Sequence, residues 1–328
     1  AYALYSNTTG NYNTASGAEA LYSNTDGYEN TASGYQALYS NTDGYENTAS
    51  GAYALYSNTT GNYNTASGAY ALYSNTTGYE NTASGVDALS SNTTGAWNTA
   101  SGAGALYSNT TGYENTASGA YALYYNTTGY ENTASGYAAL FTNTTGFDNT
   151  ASGYAALFTN TTGFDNTASG AFALRSNTTG YQNTAIGYSA GSNITTGSNN
   201  ICIGYNAQPS SATVSNEVTV GNSSNDSYRM YAASWTNASD ARYKHDIADL
   251  PFGLDFILQL KPRQYVYNNS SDGKITMGFV AQEVQEVMKH YNMLDKYNLV
   301  KIMEKDFLGL NTTEIIPILV KAVQEQQK

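Results

Sequence analysis

Positive charge is almost missing from the first 238 of the 328 residues. Only Arg175 and Arg229 stand there against 13 Asp and Glu, a net −11. Residues 239–328 hold 11 basic and 12 acidic residues, a net −1, and the two parts make up the −12 of the chain. A chain with a pI near 4.4 is a poor partner for nucleic acid or an anionic membrane. Charged residues of both signs amount to 12%, against the usual share of about a quarter. One cysteine, Cys202, permits no intrachain disulfide. There is no apolar run of about 18 residues, so no membrane-inserted helix is expected, and no secretory leader pattern occurs. His245 and His290 lack companions at metal-ligand spacing, so neither a metal nor another cofactor is expected. The chain opens inside a repeat at Ala1-Tyr2-Ala3 and is expected to be a piece of a longer polypeptide.

What the chain has instead is 32 Tyr, 31 Gly and a strict period. Ala recurs before Leu every 17 residues from Ala3 to Ala173, and Ala190 and Ala207 keep the register. A typical unit reads Ala-Leu-Tyr-Ser-Asn-Thr-Thr-Gly-Tyr-Glu-Asn-Thr-Ala-Ser-Gly-x-x. An uninterrupted period means identical units stacked on each other. Seventeen residues are too few for a helix pair, and no 3.6-residue period is present. The expected fold is therefore mainly β: a solenoid with one coil per repeat, over residues 1–207. Two short strands per coil are expected, Ala-Leu-Tyr-Ser and Asn-Thr-Ala-Ser, separated by turns. At the usual strand spacing of roughly 4.8 Å, twelve coils make a rod on the order of 60 Å long. A coil this thin is expected to need two further copies around a common axis to bury its Leu and Ala.

Within the repeat, Asn-Thr-Thr forms glycosylation acceptors at Asn7, Asn58, Asn75, Asn92, Asn109, Asn126, Asn143, Asn160 and Asn177. Asn24 and Asn41 keep the Asn but lose the acceptor through Asp26 and Asp43, which favours a stacked asparagine ladder over glycans. The tyrosine columns can stack on sugars or on each other. Ile186 and Ile203 replace Ser, and Cys202 replaces Ala, in the last two units, which suggests that this slot faces inward near the end of the shaft.

Residues 208–238 break the period and are expected to form a β neck, with candidate strands at Val214–Gly221 and Tyr228–Trp235. Residues 239–328 are non-repetitive and are expected to form a small α+β domain. Leu254–Leu260 is a short apolar stretch that Pro262 ends. Gln264–Tyr267 and Lys274–Met277 pattern as a hairpin across Asn268–Gly273. Phe279–Tyr291 has helical spacing, with Val280, Val284, Val287 and Tyr291 on one face and Gln282 and Glu283 off it. A last helix carries Pro317 in its first turn, with Asn311 or Thr313 as cap. Ile316, Leu319, Val323 and Gln326 follow the 3-4-3 spacing of a short coiled-coil seam.

The junction is Ser239-Asp240-Ala241-Arg242-Tyr243-Lys244. A serine hydroxyl becomes a nucleophile when a base takes its proton, and a neutral lysine can be that base. Ser239 and Lys244, five apart, face each other on neither a helix nor a strand, so a turn must bring them together. These residues are followed in order by His245-Asp246-Ile247, Gly253-Leu254-Asp255, Leu260-Lys261-Pro262, Met277–Val284 and Ile318–Glu325. The series resembles the intramolecular chaperone domain of endosialidase-type phage tailspikes and fibres. The resemblance implies a homotrimer whose C-terminal domain drives trimerisation and folding and then cuts itself off in a single turnover. It implies Ser239 as nucleophile, Lys244 as base and Ala238–Ser239 as the cleavage bond, with Asp240 and Arg242 as candidate support. Asn-Thr-Ala-Ser-Gly also resembles, with a different period, the head repeat of trimeric bacterial adhesins.

The reading that follows is an attachment fibre at a virion surface or another extracellular position, with a cell-surface glycan or receptor as candidate partner. The alternative is a carbohydrate-binding adhesin or glycan-active tailspike that uses the tyrosine-rich shaft. Glycosidases need a defined carboxylate pair. Glu29, Glu46, Glu80, Glu114 and Glu131 instead recur singly at one slot, which argues against catalysis on a polymer. A membrane-tethered regulator released by the same cut would need a span or a basic patch that this sequence lacks.

Overall fold

A computed structural model describes residues 1–225, 239–268, 273–302 and 307–327. The chain divides into two compact units, Ala1–Asn222 and Ser223–Lys328. The first is a parallel β-solenoid. One three-residue strand recurs every 17 residues, from β1 (Thr14–Ser16) to β11 (Thr184–Ile186), β12 (Ile201–Ile203) and β13 (Val218–Val220). The 13 strands form one sheet in sequence order. Each residue pairs with its equivalent 17 positions on, such as Ala15 with Ala32 and Cys202 with Thr219. The stretch expected to open the neck, Val214–Gly221, thus supplies the last strand of the solenoid. The second candidate neck strand, Tyr228–Trp235, lies outside the described residues, as does Ala238.

Each coil has one strand, not two. Ala-Leu-Tyr-Ser turns instead, because its Leu is left-handed in every full repeat, with φ between 48° and 53°. The residue before Ala is left-handed too, as at Glu19 (φ 58°), and so is the Glu29 slot (φ 55°). Each such non-glycine position costs roughly 1–2 kcal/mol. Hydrogen bonds between coils hold the segment in place: Leu21 N donates to Ala37 O (3.0 Å) and Ser23 N to Tyr39 O (3.0 Å). The backbone is thus paired coil to coil even where its dihedrals are not those of a strand.

The interior is closed within one chain. Ala20, Leu21, Asn24, Asn30 and Ala32 are buried in one coil, and their equivalents are buried along the shaft. This corrects the expectation that three chains are needed to cover Leu and Ala. The 17-residue loop already wraps around its own Leu column. Direction is corrected as well: Ile186 and Ile203 are 45% and 40% exposed. Side chains alternate along a strand, so with Ala185 and Cys202 inside, their neighbours point out. Burial, with Glu217 as a lesser cause, pushes the Cys202 thiol up to about 11.

Two asparagine ladders run inside the shaft. In one, Asn24 Nδ2 donates to Asn7 Oδ1 (2.8 Å) and to Gly27 O (2.9 Å). In the other, Asn30 Nδ2 donates to Asn13 Oδ1 (3.2 Å) and Gly44 O (2.7 Å). Both patterns continue coil after coil, satisfying amides that would be costly to bury alone. The first ladder stops at Asn177, where Ile194 takes the next place and leaves Asn177 Oδ1 without a partner. Of the candidate glycan acceptors, Asn58, Asn75, Asn92, Asn109, Asn126, Asn143, Asn160 and Asn177 are fully buried members of this ladder, and Asn7 begins it half-buried. An amide inside the coil cannot carry a glycan in the folded shaft.

The second unit holds α1 (Leu254–Ile257), β14 (Arg263–Tyr265), β15 (Thr276–Gly278), α2 (Ala281–His290), β16 (Val300–Ile302), β17 (Leu308–Leu310) and α3 (Ile315–Gln326). β14 and β15 form one antiparallel hairpin, and β16 and β17 pair antiparallel as a second small sheet. Phe256, Leu260, Val284, Met288, Met293, Leu299, Ile315 and Ile318 make the core. On α2 the buried pair is Val284 and Met288, while Val280 is exposed. Glu283 is not idle on the helix surface: it grips Arg263 of β14 with two hydrogen bonds (2.9 and 2.5 Å), which lower its pKa. Lys321 of α3 donates to Leu250 O, and Glu325 accepts from Leu254 N (2.7 Å), fastening α3 to α1.

Candidate functional site

The junction residues fold into a tight turn. Asp240 caps a 3-10 turn over Ala241–Tyr243, its Oδ1 accepting from Arg242 N (2.9 Å). Lys244 N closes the turn on Ala241 O (3.1 Å). This reversal brings Lys244 Nζ to 2.7 Å from Ser239 Oγ. The turn that the five-residue spacing demanded is therefore present. Hydrogen bonds from Arg242 hold the Asp240 carboxyl below its usual range, and Arg242 is drawn up in return. The Arg242 Nη2–Asp240 Oδ2 distance is 2.7 Å. Asp246 is engaged by His245 Nδ1 at 2.8 Å. Both acids that could have captured Lys244 are thus occupied, and its amine meets the serine instead. Ser239 and Lys244 are both solvent-exposed. Asp240 and Arg242 support the turn rather than reach the hydroxyl.

On the shaft, the tyrosines stack on each other. Tyr5, Tyr22, Tyr39, Tyr56 and Tyr73 form one column with ring centres 5.1–5.2 Å apart and planes within 10°. Tyr113, Tyr130, Phe147, Phe164 and Tyr181 form another at 4.9 Å. Their faces are covered by their neighbours, so the continuous columns offer edges and hydroxyls rather than flat platforms.

The acids align in the same way. Glu114, Glu131, Asp148 and Asp165 occupy the Glu29 slot in four successive coils. A hydrogen bond with Asp148 raises the pKa of Glu131 first, followed by desolvation and then by the charges of Asp148 and Glu114. Folding thus favours the protonated form. The Glu131 contribution is fully present below the ordinary glutamate value of 4.5 and is lost as pH rises through the elevated folded value. On moving from pH 7 to about 4.5, the parent should gain more thermal stability than Glu131→Gln. Equal shifts in melting temperature, followed by circular dichroism, would refute this.

Among the described residues no cluster of His, Cys, Asp and Glu is arranged to hold a metal, and no helix is long and apolar enough to cross a membrane. No curated protein and no solved structure matches the chain. Residues 239–292 match the family described as chaperone of endosialidase. The turn with Ser239 and Lys244 lies at the start of the matched stretch and α2 at its end. The chain therefore carries a chaperone-of-endosialidase segment near its C-terminus, preceded by a β-solenoid of about 12 turns with a 17-residue repeat.

Proposed function

We propose that this chain is a structural attachment fibre on a virion or cell surface, in which three copies are brought into alignment by the C-terminal domain. That domain then releases itself by one cut at Ala238–Ser239. A chaperone-of-endosialidase segment behind a β-solenoid fits a phage fibre or tailspike. The observation that carries the assembly is α3. Its inner face, Ile315, Ile318 and Ala322, is buried in the domain core. Its outer face presents Ile316, Leu319, Val320 and Val323, each 44–58% exposed. A helix with a second apolar stripe at coiled-coil spacing is built for neighbours as well as for its own core. The end of the shaft adds a second apolar surface, Ile186, Ile201, Ile203, Val218 and Val220, where earlier coils carry Thr and Ser. Exposed apolar surface concentrated in this way favours association with further copies. Because each shaft has its own core, assembly serves alignment rather than burial of the Leu column. Neither nucleic acid nor membrane insertion enters this reading.

Light scattering of the uncut Ser239→Ala chain should give three times the 35.0 kDa chain mass. Leu319→Glu combined with Val323→Glu should return a single-chain mass with an unchanged circular dichroism spectrum. A parent chain that stays monomeric at micromolar concentration would sink the assembly.

A further inference from the structure

We propose that the shaft carries a binding site for a carboxylate-bearing sugar ring where one of its aromatic columns breaks, at Arg175. Upstream of the break the column is continuous: Tyr107, Tyr124, Phe141 and Phe158 stack at 4.9–5.4 Å. In the next two coils the same slot holds Arg175 and then Ser192. The missing rings leave a cleft of about 290 Å³ lined by Phe172, Arg175, Ser176, Tyr188, Ser189 and Ser192. That lies at the small end of ligand sites, which start at roughly 300 Å³, and suits one ring rather than a chain of them.

The chemistry of the walls selects the ligand. Phe172 and Tyr188 stand perpendicular, at 88°, with ring centres 5.7 Å apart. Phe172 is half-buried beneath the guanidinium, and Tyr188, stacked on Tyr205 at 5.4 Å on one side, stays 48% exposed and gives the C–H face of a pyranose an apolar edge to rest on. The Arg175 guanidinium sits 5.3 Å from the Phe172 ring centre, held by a cation–π contact. Arg175 is exposed and has no carboxylate partner among the described residues. It is also the single Lys or Arg in residues 1–225. A planar guanidinium takes a carboxylate in a two-pronged hydrogen bond. The three serines add small hydroxyls at the rim, and Ser192 Oγ is itself fixed by Gln208 Nε2 at 3.0 Å. A free sulfate would leave the aromatic walls unused, and a neutral sugar would leave the guanidinium unused. The acidic shaft repels anions at long range, so this one cation acts by contact, not by steering.

The test is calorimetric titration of the full chain with a glucuronic acid oligosaccharide, a neutral glucose oligosaccharide of equal length, and inorganic sulfate. The uronate should bind and the other two should bind at least tenfold more weakly. Arg175→Ser should weaken uronate binding at least tenfold without altering the fold, because the same column already accepts Ser90 and Ser192. Arg175→Tyr should extend the column, fill the cleft and abolish binding. The site lies within the shaft, so the seam variants that dissociate the assembly should retain it. A failure of trimerisation is thereby distinguished from a failure of this site. Equal binding of neutral sugar or sulfate, full affinity in Arg175→Ser, or no uronate binding at millimolar concentration would each overturn the proposal.

Discussion

Purified from cells, the parent chain should give two fragments, one ending at Ala238 and one beginning at Ser239, whereas Ser239→Ala and Lys244→Ala should each leave one full-length band. The expectation rests on the 2.7 Å contact between Lys244 Nζ and Ser239 Oγ and on the turn that makes it. Attack of Ser239 Oγ on the Ala238 carbonyl carbon moves the acyl group from nitrogen to oxygen. The serine proton passes to the Lys244 amine, and the freed Ser239 nitrogen is protonated. Water then cleaves the ester, giving the Ala238 carboxylate and regenerating the hydroxyl. For the first step the amine must be neutral, and a lysine in open water is overwhelmingly protonated at pH 7. Both groups are exposed in the single chain. The Arg242 guanidinium is paired with Asp240 at 2.7 Å. Enclosure by a neighbouring copy is the remaining way to desolvate the amine, and it would hold back the cut until assembly is complete. The paired Leu319→Glu and Val323→Glu seam variant should therefore leave the bond uncut with the dyad intact. Processing of both dyad mutants at the same bond would show that another nucleophile operates. Rapid cutting by the seam variant would refute the gating while leaving the dyad standing.

How much of this was legible depended on whether the chemistry left a trace in residue type. The 17-residue period fixed the solenoid and its register, since equivalent residues can pair only with each other. The asparagine ladder was legible from Asn24 and Asn41, which keep the amide while losing the glycosylation acceptor. The left-handed positions were nearly invisible, because Leu, Tyr and Glu fill most of them, and these residues seldom adopt positive φ. Their signal was in the exceptions. Gly104 and Asn206 stand in the slot before Ala, Gly191 stands in the Leu slot, and Asn199 and Asn216 stand in the Glu slot. Those residues tolerate the conformation best and mark where the chain turns. The outward direction of Ile186 and Ile203 was also available, since strand alternation around a buried Ala185 or Cys202 leaves no other choice. The serine–lysine contact was inferred as a requirement and is met. Arg175 entered the sequence reading only as a charge, because nothing in one coil reveals that its slot belongs to an aromatic column.

Against the folding role that the resemblance implies for the C-terminal domain, a shaft whose Leu and Ala columns are buried by its own coils should fold without that domain, and its weakest tolerance should be for added volume beside the asparagine ladder. Residues 1–222 alone are expected to give a soluble β-rich chain, because covalent turns of fixed length set the pairing of each coil with the next. Aggregation of that fragment would mean that the shaft depends on its partners after all. Within it, Gly112→Ala should be severely destabilising. A Cβ at Gly112 would lie 2.3 Å from Asn109 Oδ1 and 2.4 Å from Gly129 O, with Asn126 Nδ2 at 2.9 Å. Those atoms are committed: Asn126 Nδ2 donates to Asn109 Oδ1 (2.8 Å), and Gly129 O accepts from Asn126 Nδ2 (2.9 Å) and Asn115 Nδ2 (2.9 Å). The methyl group has nowhere to go but into the ladder. Overpacking at roughly 1–3 kcal/mol, with one or two buried amide groups left unsatisfied at roughly 1–3 kcal/mol each, gives a loss of about 2–9 kcal/mol. Neighbouring coils interact only with each other, so the weakened interface should split the urea transition of the shaft in two. The exposed Thr111 lies next in sequence with its side chain outside, and Thr111→Ala should change the unfolding free energy by no more than about 0.5 kcal/mol. If Gly112→Ala unfolds at the same urea concentration as Thr111→Ala, the ladder is not what holds the coils together.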